Sequence, residues 1–88
     1  MTTRELYDSY LAARITTQRA DLECSEAWRR LCRYGHIGCG SDARLQREYD
    51  EAATRRRDAE RREDESYQQY HAAVNRERQR SGATPQGV

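Results

Sequence analysis

The chain has no Phe and no Lys, and only one Trp, one Met and one Pro. With five Leu, two Ile and two Val, its large aliphatic share falls below the roughly 20% that separates folded from disordered compositions. The core inventory is poor, and disorder is the alternative that this composition raises. The other half of the disorder signature, a large net charge, is also missing, because sixteen Arg nearly cancel fifteen acidic residues to leave +1. That balance removes the net basic field that makes a nucleic-acid partner the first expectation. The lack of Lys reads as codon bias from a GC-rich genome, bacterial or phage. Its functional alternative is bidentate recognition of phosphate or carboxylate, for which Arg has the better geometry.

Long hydrophobic runs are absent too, so no membrane span is expected. The N-terminus lacks the basic-then-apolar order of a signal peptide, which makes a cytoplasmic location the expectation. Three Cys make an odd number for a disulfide framework, which suits a reducing compartment. Eighty-eight residues bound the chain at a single domain.

What the chain does have is periodicity. Thr3, Leu6, Tyr10, Ala13, Thr17, Ala20, Cys24, Ala27, Leu31 and Tyr34 recur at alternating spacings of three and four, and none is charged. Such a stripe marks one seam of a long helix lying against another helix. Thr2 and Glu5 form a capping-box pair in which Glu5 returns a bond to the Thr2 amide, and no Gly or Pro intervenes before Gly35. The spacing predicts helix 1 over 3–34, roughly 48 Å long at 1.5 Å per residue. Three of the five Gly fall in 35–41, which reads as the connection. Ser41 can cap a second helix over about 42–80, and 81–88 reads as a disordered tail.

Helix 2 repeats the seam in weaker form at Leu45, Tyr49, Ala52, Arg56, Ala59, Glu63, Ser66, Tyr70 and Ala73. A short loop setting Leu31 opposite Leu45 then places Ala27 against Tyr49, Cys24 against Ala52, Ala20 against Arg56, Thr17 against Ala59 and Leu6 against Tyr70. Small residues face large ones through much of this register, which allows close approach. The expected fold is all-α: an antiparallel, coiled-coil-like two-helix hairpin over 1–80.

Helix 1 carries more apolar surface than one partner covers. Leu11, Ile15, Leu22 and Cys32 lie roughly opposite the seam, and Tyr7 and Trp28 flank it. Burying a Leu or Ile contributes about 1.5 to 3 kcal/mol, so a small domain that leaves several exposed forgoes much of its stability. The expectation is a homodimer, with two hairpins forming a four-helix bundle. The interface candidates are Tyr7, Leu11, Ile15, Leu22 and Trp28, and a different protein partner is the competing occupant.

Two further groups invite chemistry. Arg55, Arg56, Arg57, Arg61 and Arg62 make an Arg-rich run that points to nucleic acid, but Asp58, Glu60, Glu63, Asp64 and Glu65 interleave with it and repel phosphate. Glu51 with Arg55, Asp58 with Arg62, and Arg61 with Glu65 stand four apart and read as solvated pairs along helix 2. Cys32, His36 and Cys39 have ligand-type side chains for zinc or a thiol latch, but a structural zinc site takes four ligands. Cys24, eight residues before Cys32, lies too far along the axis to be the fourth. No catalytic residue and no cofactor is expected: the chain carries no phosphate loop and no hydrolase elbow, and a two-helix rod offers little concavity. The function expected is that of a small non-enzymatic binding or regulatory protein. A nucleic-acid-binding regulator is the alternative, and a thiol or zinc sensor at the loop is a third reading.

Overall fold

The computed structural model describes residues 1–34 and 41–82. The uninterrupted first stretch forms α1, Thr3–Tyr34, and the second forms α2, Ser41–Gly82. Among the described residues there is no strand. The helix α2 begins one residue before the span read from the sequence and ends two after it, at the Gly that stops the pattern. The loop residues 35–40 and the tail 83–88 lie outside the described residues.

The start of α1 is closed by Thr2. The Glu5 amide donates to Thr2 Oγ1 at 3.2 Å, and the Leu6 amide donates to the Thr2 carbonyl at 3.0 Å. The Thr2 hydroxyl donates in turn to Glu5 Oε1 at 3.2 Å. The carboxylate thus returns to the hydroxyl instead of to the backbone amide expected of a capping box.

The two helices run antiparallel. Tyr7 near the start of α1 packs on Tyr70, Thr17 in its middle reaches Ala59, and Trp28 near its end packs on Tyr49. At the far end Thr3 Oγ1 donates to Glu77 Oε1. The result is a rod of 72 × 21 × 13 Å, only two helices wide.

The contact is made almost wholly of small residues. Leu6, Thr17, Ala20, Cys24 and Ala27 of α1 and Ala52, Ala59 and Ala73 of α2 are buried, and every one belongs to the seams read from the sequence. Cys24, Ala27 and Ala52 form one continuous patch, with Tyr49 and Ala53 packed against it. A buried Ala methyl contributes about 0.8 kcal/mol, so these positions stabilise chiefly by letting the two backbones come close. Thr17 fixes the register. Its hydroxyl lies 3.1 Å from both the Ala13 carbonyl in its own helix and the Ala59 carbonyl across the seam. The side chain is buried and its polar atom is partnered, as burial requires.

The charged run of α2 behaves differently from the solvated pairs expected. Arg55 Nε lies 3.5 Å from Glu23 and Arg56 Nε 3.9 Å from Asp21, so both arginines reach across to α1. Arg56 also approaches Glu60 at 3.6 Å, and Arg61 pairs with Asp58 at 3.5 Å. Small seam residues bring α1 near enough for an Arg stem to span the gap, and the interhelix carboxylates then compete with those on α2. Arg56 Nε is itself buried and has no hydrogen bond, since both carboxylates stand just beyond bonding distance. The attraction there is Coulombic, and with side chains about half exposed such pairs contribute at most about 1 kcal/mol each.

Among the described residues no helix is long and apolar enough to cross a membrane.

Candidate functional site

An α-helix advances two and a half turns in nine residues, so residues nine apart lie on opposite sides. Leu11 is nine residues from Ala20, Ile15 is nine from both Leu6 and Cys24, and Leu22 is nine from both Ala13 and Leu31. The aliphatic stripe is therefore set back-to-back with the seam. Ile15 is 57% exposed and Leu22 66%, while Leu11 is half-buried. Among the described residues nothing covers Ile15 and Leu22.

Its edge is aromatic. The Trp28 and Tyr49 rings lie 5.2 Å apart at 54°, Tyr10 and Tyr67 5.5 Å apart at 61°, and Tyr7 and Tyr70 5.1 Å apart at 49°. Tyr10 and Trp28 are eighteen residues apart, and so are Tyr67 and Tyr49. Eighteen residues make five complete turns, so these two cross-helix pairs project from the same edge of the rod. Such tilted and edge-on pairs gain about 0.5 to 1.5 kcal/mol beyond area burial. Tyr67 stacks in turn on His71 at 5.7 Å. The equal eighteen-residue spacing in the two helices was the available signal for this edge, one that a search for heptads alone passes over.

Tyr7 and Trp28 thus have two roles at once. One side of each ring is held by a tyrosine of α2, and the rest is open, with Tyr7 38% and Trp28 51% exposed. A cleft of about 400 Å³ lies beside Trp28 and Tyr49, lined also by Cys24, Ser25, Arg29 and Arg56. All five interface candidates read from the sequence occur on α1, three on its outward face and two at its aromatic edge.

The Arg-rich run does not gather into one basic surface. Arg55, Arg56 and Arg61 are paired with carboxylates, and Arg57 donates to Thr54 Oγ1 at 3.4 Å. Arg55 and Arg62 line a groove of about 290 Å³ together with Arg19, but Glu23 and Asp58 line it as well. On the other edge, Glu60, Glu63 and Asp64 surround Tyr10 and Tyr67. The charges alternate in space as they do in sequence.

Of the three candidate zinc or thiol ligands, Cys32 is an exposed free cysteine in the last turns of α1. His36 and Cys39 lie outside the described residues. Cys24 is buried in the seam as a small apolar residue. His71 lies 3.4 Å from the Asn75 side-chain amide and is stacked on Tyr67, so its immediate partners are an amide and a phenol.

No known protein family, curated protein or solved structure matches this chain.

Proposed function

We propose that this chain is a non-enzymatic helical binding protein whose working surface is the outward face of α1, and that two hairpins associate through that face. One observation carries the reading. The strongest aliphatic side chains outside the seam, Ile15 and Leu22, are more than half exposed on a single stripe directly opposite the seam. Large apolar side chains collected on one face of a small protein mark an interaction surface. The protein acts by bridging or occlusion, presenting an already folded helix to another protein surface. Leu22, Trp28 and Tyr7 are the anchors, because large side chains that become buried dominate interface energy. The two aromatic anchors are held against Tyr49 and Tyr70 before binding, which lowers the entropy lost on association. A cytoplasmic setting suits the exposed Cys32 thiol.

Size-exclusion chromatography with light scattering tests this reading. The full chain is expected at twice its 10.3 kDa monomer mass. Leu22→Asp is expected to shift it to the monomer while far-UV circular dichroism stays strongly helical. A wild-type chain that is monomeric with intact helicity at tens of micromolar overturns self-association.

A further inference from the structure

Resting on that self-association, we infer that the dimer is a flat four-helix layer in the order α2-α1-α1-α2, with the two α1 helices antiparallel at its centre, and not a square bundle. Two observations and one symmetry rule lead there. The aliphatic stripe is diametrically opposite the seam, so a helix docked on it lies in line with α1 and α2 instead of at the corner of a square. The outward side of α2 offers no matching stripe. Its positions Arg47, Asp50, Arg57, Arg61, Asp64 and Gln68 are polar, all exposed. A twofold contact uses the same patch on both copies, and among the described residues only α1 has an apolar one to offer.

Charge then sets the direction. Along the outward face of α1, Arg4 and Asp8 precede Leu11, Ile15 and Leu22, while Glu26, Arg29 and Arg33 follow them, with Asp8 and Arg29 set directly opposite the seam's Thr17 and Ala20. A parallel pair sets Asp8 against Asp8 and Arg29 against Arg29. An antiparallel pair sets Leu22 of each copy against Leu11 and Ile15 of the other, and brings Asp8 within a turn of the partner's Arg29. The twofold axis then falls at the level of Gln18. Asp8 already sits 3.5 Å from Arg4, both exposed, so it remains solvated until the partner arrives.

Pulsed electron–electron resonance on spin-labelled full-length chain separates the arrangements. In a Cys39→Ser variant the label goes to exposed Cys32, while buried Cys24 is protected. Cys32 lies fourteen residues from the axis, so the two labels are expected about 40 Å apart in the antiparallel pair and within about 15 Å in a parallel one. A second label at Arg57→Cys, with Cys32 also replaced by Ser, reports on α2. The layer puts these labels beyond about 30 Å, three interaxial spacings, whereas a square bundle brings them within about 25 Å. A short Cys32 distance or a short Arg57→Cys distance overturns the inference and leaves self-association standing; a monomer in light scattering overturns both. As a check free of labels, Asp8→Arg or Arg29→Asp alone is expected to raise the dimer dissociation constant about tenfold, and the double exchange to recover most of it. Failure of the double exchange to recover affinity while each single variant weakens it removes the antiparallel pairing.

Discussion

Enlarging a seam alanine gives the sharpest test of how this rod is held together. Ala52 is 2% exposed, packed in one patch with Cys24 and Ala27. Replacing it with Leu adds three carbons at a point where the facing residues are themselves too small to withdraw. The helices must separate locally, and that separation loosens Tyr49, which packs against the same patch and holds Trp28. Overpacking of this kind costs about 1 to 3 kcal/mol. For a domain of this size each kcal/mol moves Tm by roughly 4 to 8 °C, so Ala52→Leu is expected to lower Tm by about 5 to 20 °C. Ala72→Leu supplies the control, because Ala72 is exposed on the same helix and Leu is nearly as good a helix former as Ala. It is expected to change stability by less than about 0.5 kcal/mol. Thermal and urea unfolding followed at 222 nm give both values. If Ala52→Leu matches or exceeds the wild type, close approach through small residues is not what holds the hairpin.

Thr17→Val keeps the shape of Thr17 and removes the hydroxyl that reaches the Ala13 and Ala59 carbonyls, so urea unfolding is expected to show a loss of about 0.5 to 1.5 kcal/mol. A double-mutant cycle on Trp28→Ala and Tyr49→Ala is expected to give a coupling of about 0.5 to 1.5 kcal/mol, and additive single losses would mean that the rings do not interact. Exchanging the charges of Glu23 and Arg55 is expected to destabilise singly by at most about 1 kcal/mol and to recover in the double variant, the effect fading in molar salt. In a Cys39→Ser background, maleimide is expected to modify Cys32 at the rate of a free thiol and Cys24 only on unfolding, as read by mass spectrometry of time points.

The helices and their register were legible because one rule, the alternation of three and four, generates both. Thr17 opposite Ala59 and Cys24 opposite Ala52 follow from matching two such stripes across a short loop, and the hydrogen bond and the buried patch lie at those places. The ion pairs were not legible in the same way. A spacing of four on one helix offers a local partner, and by spacing alone Glu51 is the natural mate for Arg55. The choice between Glu51 and Glu23 depends on how near α1 comes, and that distance is set by Ala20, Ala27, Ala52 and Ala59 on the other face of the problem. Aromatic pairing was half legible: the register sets Tyr49 opposite Ala27, and its ring reaches the neighbouring Trp28 because large rings project past the seam to the edge.

The smallness of the seam and the exposure of the outer face have one physical origin. Where the helices meet through Thr17, Ala20, Cys24, Ala27, Ala52 and Ala59 they come too close to house Ile or Trp between them; Leu enters the seam only toward its ends, at Leu6, Leu31 and Leu45, and the other large apolar side chains of α1 fall on its remaining faces. Trp28 and Tyr7 stop at the edge, where a tyrosine of α2 covers one side of each ring. Ile15 and Leu22 go to the far side, where α2 cannot reach. A hairpin with leucines along the middle of its seam as well would stand wider and keep more of its apolar residues to itself. By this reasoning, replacing Ala20 and Ala59 with larger residues loosens the hairpin without making the outer stripe any less apolar. Leu22→Asp acts in the opposite sense, removing the stripe while the seam holds. Stability and assembly are therefore separable by mutation on the two opposite faces of α1, and a variant series that moved both together would contradict the division of labour proposed for this helix.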